Sequence, residues 1–476
     1  MQNPETVPTS SRQFTRLNPV SGEVASTAEA ATAESARAVA DKAHAAFATW
    51  AETGPTARRQ LLLKAADAFS SRKDDLIALM QAEIGATASW AGFNVMLATN
   101  MIREAASLTT QVAGEVIPSD KPGCLAMTVR EPVGVCLGIA PWNAPVILGV
   151  RAVATALACG NTVILKASEK CPGTHKLIVD VFREAGFPEN VVNVVTNAPE
   201  DAVEVVNSLI DHPAIRRINF TGSTAVGKAI ARRAADHLKP VLLELGGKAP
   251  LIVLDDADLD EAVAAAAFGA FFNQGQVCMS TERIIVVDSV ADEFVAKFGK
   301  KAGTLVAGDP VEGKSPLGAV IGLETVAKVE ELVADALSKG SRKIVGGEAQ
   351  GVLMPATVVD HVTSDTRLYR EESFGPVVAI LRARDEEHAI ALANDSDYGL
   401  SAAVFTRDTA RGLRVARKIK SGICHINGPT LHDEAHMPFG GVKASGYGRF
   451  GGKAGIEEFT ELRWITMETQ PGHYPL

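Results

Sequence analysis

With 476 residues, 46% hydrophobic and 22% charged, the chain is long enough for two or three domains of roughly 150 residues each, and it needs no disulfides to bury a core. A formal net charge of −9, with basic residues scattered except for short clusters such as Arg216-Arg217 and Arg232-Arg233, argues against a nucleic-acid partner. No apolar run reaches the roughly 18 residues of a membrane span and no basic-then-apolar leader opens the sequence, so a cytoplasmic protein without a membrane partner is expected.

Residues 30–115 read as helical, with apolar positions recurring at three and four residues through Leu61-Leu62-Leu63 to Phe69. Residues 125–140 turn toward β. From 145 to 245 the rhythm is strand, helix, strand. Thr162–Leu165, Val191–Val195, Arg217–Phe220 and Val241–Leu243 are the apolar runs, and helices are expected over 172–185 and 224–236. The same style continues beyond 250, with strands near 283–287, 376–381, 402–406 and 422–426. Alternation of this kind predicts an α/β protein whose parallel sheets are covered on both faces. There is no fixed-period repeat and no low-complexity segment. Two α/β domains with a small β extension are the implied organisation.

Cysteines stand at 124, 136, 159, 171, 278 and 424. None has C-x-x-C spacing, so free thiols are expected rather than a disulfide framework. No metal site is expected either. There is no H-E-x-x-H, and His425, His432 and His436 have only Cys424 near them, across a Gly-Pro loop.

Several segments carry chemistry. Pro141-Trp142-Asn143-Ala144-Pro145 holds an amide N–H donor of the kind a tetrahedral oxyanion needs, although Asn143 is equally a turn residue between prolines. Lys166-Ala167-Ser168-Glu169 ends a strand, where open parallel sheets bind ligands. An acidic Glu169 there would accept hydrogen bonds from ribose hydroxyls and repel a 2′-phosphate, or it is an ordinary loop carboxylate. Phe220-Thr221-Gly222-Ser223-Thr224 follows a strand and opens a helix, an arrangement that attracts phosphate; a plain N-cap at Ser223 or Thr224 explains it equally well. Glu244, between an apolar strand and Leu245-Gly246-Gly247, is placed for desolvation and a raised pKa, or for pairing with Lys248. Cys278, in Asn273-Gln274-Gly275-Gln276-Val277-Cys278, is a thiol offered at a turn among glycine and amides.

Pro-Trp-Asn at 141–143, Lys-x-Ser-Glu at 166–169, Phe-Thr-Gly-Ser at 220–223, Glu-Leu-Gly-Gly-Lys at 244–248, Gly-Gln-x-Cys at 275–278 and Glu-Glu-x-Phe-Gly-Pro at 371–376 stand together in the order found in the aldehyde dehydrogenase superfamily. The chain resembles that family from about residue 15 to 465. The resemblance implies an NAD-dependent aldehyde dehydrogenase with a Rossmann-like NAD domain (1–118 and 138–243), an α/β catalytic domain (244–440) and a β oligomerisation extension (119–137 and 441–476). It makes Cys278 the nucleophile, Asn143 the oxyanion donor and Glu244 the general base. It assigns NAD contacts to Ile139, Ala140, Pro141, Trp142, Lys166, Ser168, Glu169, Phe220, Gly222, Ser223, Val226, Leu245, Gly246, Glu372 and Phe374. The loop Thr196-Asn197-Ala198-Pro199 lacks the glycine many members place there, which leaves the adenine side open.

Ala144 stands where many members carry a bulky aromatic, leaving room for a wide substrate. Arg151, eight residues beyond Asn143, would share its face if one helix ran through both. Trp90, Phe93, Asn94 and Leu97 fall at helical spacing, as lining or as helix packing. With Met279 these residues suit a polar aromatic aldehyde. The runs at 89–95, 102–108 and 278–283 are similar to bacterial salicylaldehyde dehydrogenases, with vanillin and 4-hydroxybenzaldehyde dehydrogenases as near neighbours. A semialdehyde dehydrogenase of the same fold, aliphatic or CoA-acylating, is the alternative enzyme; the CoA-acylating form is disfavoured by the hydrolytic base Glu244. A non-catalytic binding module is disfavoured by the presence of both nucleophile and base. The segments 124–140 and Thr460–Glu468 look like strands without a partner in the chain, which points to a homodimer or homotetramer.

Overall fold

Strands and helices alternate from Val135 onward and assemble into two mainly parallel sheets, seen in a computed structural model that describes residues 12–472 and 474–476. The first sheet has six strands in the order Gly446–Tyr447, Val241–Glu244, Ile215–Thr221, Val135–Ile139, Thr162–Lys166, Val192–Val195. All neighbours are parallel except the short Gly446–Tyr447 edge. Val135–Ile139 and Thr162–Lys166 are buried at every position, as strands covered by helices on both faces must be. The chain order runs outward in both directions from Val135–Ile139, which creates a switch point. A crevice opens there beyond the carboxyl ends of the strands, so Ile139, Lys166, Thr221 and Glu244 come to one rim.

The second sheet has seven strands, in the order Arg342–Val345, Thr357–Asp360, Val377–Ala383, Thr281–Val287, Ala249–Val253, Ala403–Phe405, His425–Ile426. Only the Arg342–Val345 edge is antiparallel. The long helical stretch resolves into four helices, Ala33–Ala51, Pro55–Ser71, Lys73–Ile84 and Ala88–Leu108. Gly85, at φ 67°, ends the third, and the Thr87 side chain caps the fourth. An antiparallel pair, Gln13–Leu17 with Val24–Glu29, precedes them; its alternation is too polar to have been read as strand. No helix among the described residues is long and apolar enough to cross a membrane.

Two expectations are corrected. The helix over Arg151 is Pro145–Ala158, so Asn143 lies before it and not on a shared face. Pro145 suits a first helical turn but disfavours helical backbone at the residue before it, and Ala144 sits at φ −136°, ψ 63°. The terminal strand also has a partner within the chain. Thr460–Glu468 pairs antiparallel with Cys124–Pro132 along its full length, and Val116–Ile117 lies on the other side. Among the described residues the outer edge of Thr460–Glu468 has no partner strand, and Leu462, Trp464 and Met467 of this strand are exposed.

Candidate active site

The turn that leads to Cys278 is built from unusual backbone. Asn273, Gln274 and Gly275 have φ of 51°, 55° and 69°, a left-handed run that costs on the order of 1–2 kcal/mol for each non-glycine residue. The amide side chains hold it in place. Gln274 accepts from Gly318 N at 2.9 Å and donates to Ala319 O at 2.9 Å, and Gln276 accepts from Ile321 N at 2.9 Å. The amides of the motif therefore anchor the turn to the neighbouring 318–321 segment. Cys278 follows, with part of its surface open.

Asn143 is fixed from several directions. Its backbone carbonyl accepts from Trp90 Nε1 at 2.9 Å and from Asn273 Nδ2 at 3.1 Å, and its own Nδ2 donates to Gln276 O at 3.0 Å. An amide nitrogen carries two hydrogens, so one remains for a ligand. Sequence reasoning missed the parts played by Asn273 and Gln276, because the contacts bridge segments far apart in the chain.

Cys278, Asn143 and Glu244 line one cavity of about 390 Å³, with Trp142, Glu372 and Phe374 on its walls. Glu244 is fully buried, and neither carboxylate oxygen has a hydrogen-bond partner among the described residues. Burial pushes its pKa up to about 7, while the Arg151 charge and the nearby Cys278 thiol act in the other direction. Glu244 does not pair with Lys248, which instead forms a buried ion pair with Glu282. Enclosure pushes the Cys278 thiol well up, and the Glu244 and Glu372 carboxylates add to this; Arg151 opposes them. The resting sulfur is therefore a thiol with a proton acceptor beside it.

The far side of the cavity is built from glycines, a helix N-terminus and a buried carboxylate. Gly222 and Ser223 open the helix Thr224–Ala235, whose Val226 N–H is capped by Ser223 Oγ. Gly246 leaves room that a side chain would deny: a Cβ there would meet the Glu372 carboxylate at 2.9 Å. Glu372 accepts from Gly247 N at 2.8 Å, and burial lifts its pKa to about 7. Phe374, at φ 51°, stands edge-on to Trp142 at 5.8 Å. Glu282 accepts from the Ser373 and Phe374 N–H groups and so shapes that loop. Lys328 lines the same cavity and carried no signal in the sequence.

At the next strand end Lys166 is ion-paired with Glu169, and Asn197 Nδ2 donates to Glu169 at 2.9 Å. Burial pushes Glu169 up, but Lys166 and Asn197 outweigh it and hold the carboxyl below its usual range. Ser168 N donates to Nδ1 of His175, which burial keeps neutral with a pKa of about 4. In the loop that lacks the glycine, the Asn197 side chain thus helps to lock Glu169 in place. Ile139, Ala140, Phe220 and Leu245 are buried at the rim, whereas Val226 is exposed.

Among the residues considered for the substrate, Ala144, Met279 and Trp90 are buried. Trp90 stacks on Phe93 at 5.7 Å and meets Phe272 edge-on at 5.1 Å. Arg151 is buried, ion-paired with Asp433 and seated 4.1 Å over the Phe439 ring. All six cysteines are free, and no cluster of potential metal ligands occurs among the described residues.

A parallel-sheet crevice joined to a partly open thiol, a buried amide and a buried carboxylate is the architecture of an α/β dehydrogenase. Residues 6–465 match the aldehyde dehydrogenase family. The chain is 58% identical over 465 residues to a vanillin dehydrogenase of Pseudomonas fluorescens, covering 98% of this chain and 96% of that one. It is 52% identical over 463 residues to a salicylaldehyde dehydrogenase of Pseudomonas putida, covering 97% and 96%. The crystal structure of a salicylaldehyde dehydrogenase from Pseudomonas putida G7 complexed with salicylaldehyde superposes with a TM-score of 0.96 at 51% identity, covering 98% and 96%. The chain belongs to the aldehyde dehydrogenase family and is an aldehyde-oxidising oxidoreductase. Solved relatives are in complex with NAD or NADP, so the cofactor class is NAD(P).

Proposed function

We propose that this enzyme oxidises an aromatic aldehyde of the salicylaldehyde, vanillin or benzaldehyde type to its carboxylic acid, with NAD as acceptor. The observation that carries the reading is the shared cavity in which Cys278 and the unpartnered Glu244 meet Asn143. The aromatic part is supported by the names of the relatives and by the ring cluster of Trp90, Phe93 and Phe272, in which Trp90 donates to the Asn143 carbonyl.

The Cys278 sulfur adds to the aldehyde carbon and its proton passes to Glu244. The remaining Asn143 amide hydrogen and the Cys278 N–H steady the alkoxide. A bound NAD would supply the hydride acceptor, and loss of hydride from this carbon leaves a thioester on Cys278. With its proton released to solvent, Glu244 takes a proton from water. The hydroxide adds to the thioester carbon, the C–S bond breaks, and the acid leaves with the Cys278 sulfur restored. The site fits NAD: Glu169 would hold the ribose hydroxyls, Gly222 and Ser223 the pyrophosphate, and Glu372 the second ribose. A carboxylate locked by Asn197 and Lys166 favours NAD over NADP, because it would repel a 2′-phosphate. The exposed outer edge of Thr460–Glu468 supports a homodimer or homotetramer, and six free cysteines suit a reducing cytoplasm.

The test is an aldehyde panel run with both cofactors. We expect kcat/KM for benzaldehydes to exceed that for acetaldehyde and succinic semialdehyde by about 100-fold, the scale a shaped pocket supplies, and NAD to be used in preference to NADP. A preference for either aliphatic substrate refutes the aromatic assignment.

A further inference from the structure

Arg151 and Asp433 form a second buried charged pair near the catalytic residues, and the steps above give it no task. The two side chains are 5% and 7% exposed. Arg151 comes from the helix Pro145–Ala158, and Asp433 from the loop after the strand His425–Ile426. One Asp433 oxygen receives the guanidinium. The other, Oδ1, is buried without a hydrogen-bond partner among the described residues; the Glu434 N–H lies close enough to favour the charge but is not bonded to it. Leaving a buried acceptor unmatched is costly. The chain's other deeply buried carboxylates avoid this. Glu83 accepts from Gly173, Thr174 and Ser26, and Glu282 from Lys248 and Ser373. Among the described residues, buried carboxylate oxygens without a partner occur only on Glu244 and Asp433. One of these is the proposed base, and the charge of the other reaches it.

Asp433 also borders open space beside the aromatic cluster. It lines a small interior cavity with Arg151, Thr155 and Phe439, and it lines a groove of about 460 Å³ that opens beside Phe93, Leu97 and Asn100. Arg151 makes no hydrogen bond other than that to Asp433 among the described residues, so the pair offers a donor and an acceptor side by side. A hydroxyl group both donates and accepts. An ether accepts only, and a bare ring does neither.

We propose that Asp433, held by Arg151, accepts a hydrogen bond from a ring hydroxyl of the substrate and makes the enzyme selective for phenolic over unsubstituted or O-methylated benzaldehydes. This rests on the aromatic reading given above. The charged groups around the pair are Glu104 and Arg103 from the helix Ala88–Leu108, Glu244 from the first sheet, and His432 and Glu434 from Asp433's own loop. An ionised phenol can no longer donate and is repelled by Asp433. KM for a phenolic aldehyde should therefore rise as pH passes the pKa of that phenol, with no such step for benzaldehyde.

The experiment compares benzaldehyde, the three monohydroxybenzaldehydes and their methyl ethers on the wild type, Asp433→Asn and the double variant Arg151→Leu/Asp433→Leu. The double variant removes both charges, so neither is left buried alone. At least one hydroxybenzaldehyde should exceed both benzaldehyde and its own ether in wild-type kcat/KM by about tenfold, as expected for a hydrogen bond to a charged group. Both variants should reduce that ratio to within about threefold of unity, mainly through KM. A ratio that survives in both variants, a wild type with no hydroxyl preference, or a KM that falls as the phenol ionises overturns the assignment; the last would make Arg151 the recognising group. If acetaldehyde or succinic semialdehyde outperforms every benzaldehyde, the aromatic reading itself has failed, and this inference with it.

Discussion

Glu244 ends a strand of the first sheet and Glu282 lies at the start of a strand of the second, both buried, yet their surroundings differ in kind. Glu282 pairs with Lys248 and accepts from the Ser373 hydroxyl and the Ser373 and Phe374 N–H groups. Neither Glu244 oxygen has a hydrogen-bond partner among the described residues, and the carboxylate faces the cavity that holds Cys278. One carboxylate spends its hydrogen-bonding capacity on shaping a loop. The other keeps it available, at a cost in stability that the satisfied network behind it helps the fold to tolerate. Burial alone therefore does not mark a functional carboxylate. Burial without partners, next to a cavity, does.

The largest effect belongs to the thiol on the reactive side of this contrast. Cys278→Ala should lower kcat by at least about 10⁴-fold, since nothing else in the cavity can form the covalent intermediate. NAD affinity, read by calorimetry, should change by less than about threefold. Residual turnover near the wild-type rate would remove Cys278 from the chemistry.

The two carboxylates should then separate when each is made an amide. Glu244→Gln should slow turnover by about 10²–10⁴-fold, with a burst of NADH followed by a slow steady state as the thioester accumulates. Glu282→Gln leaves Lys248 buried without its counter-ion and should cost about 3–5 kcal/mol of stability in denaturant titrations. Glu244→Gln should cost none. Glu244 has a folded pKa of about 7, above its ordinary 4.5, so between these values the native state binds more protons than the unfolded one. Stability falls as pH rises through that window, by on the order of 3 kcal/mol, and this slope should shrink in Glu244→Gln. Steady-state kcat should rise with pH and level off above about 7, once Glu244 is ionised. Equal stability losses in the two variants would erase the distinction between them.

Much of this contrast was legible in the sequence. The apolar runs gave most of the parallel strands of both sheets, because strands buried on both faces are written as continuous Val, Ile and Leu, but Ala249–Val253 and Thr357–Asp360 were not among them. The motifs around Asn143, Glu244 and Cys278 could be read because each sits at a strand end or turn whose chemistry is local. What stayed hidden depends on side chains that meet across the fold. That Lys248 would choose Glu282 over Glu244 cannot be judged from spacing, since Glu282 lies 34 residues away in the chain and Glu244 far closer. Asp433 carried no motif at all, and its meaning comes only from the Arg151 guanidinium beside it. Pro145 did contain the information that the helix starts after Asn143, but the eight-residue spacing to Arg151 suggested a continuous helix instead.

The smallest predicted effect asks whether the reactive side depends on positioning from the aromatic cluster. Trp90 falls among substrate-lining positions by its spacing, yet it is only 2% exposed and its Nε1 donates to the Asn143 carbonyl at 2.9 Å. Trp90→Phe keeps an aromatic ring against Phe93 and Phe272 and deletes that donor. Asn273 still holds the same carbonyl, so stability should fall by only about 1 kcal/mol. The Asn143 amide would be less firmly placed, and kcat should drop by about tenfold for every aldehyde, because oxyanion stabilisation depends on a donor fixed before the reaction. A purely lining role gives a different pattern: KM would shift with ring size across the panel while kcat held. Measuring kcat and KM separately for benzaldehyde and a bulkier ring distinguishes the two roles. A size-dependent KM with unchanged kcat would return Trp90 to the substrate wall and leave Asn273 and Gln276 as the supports of Asn143.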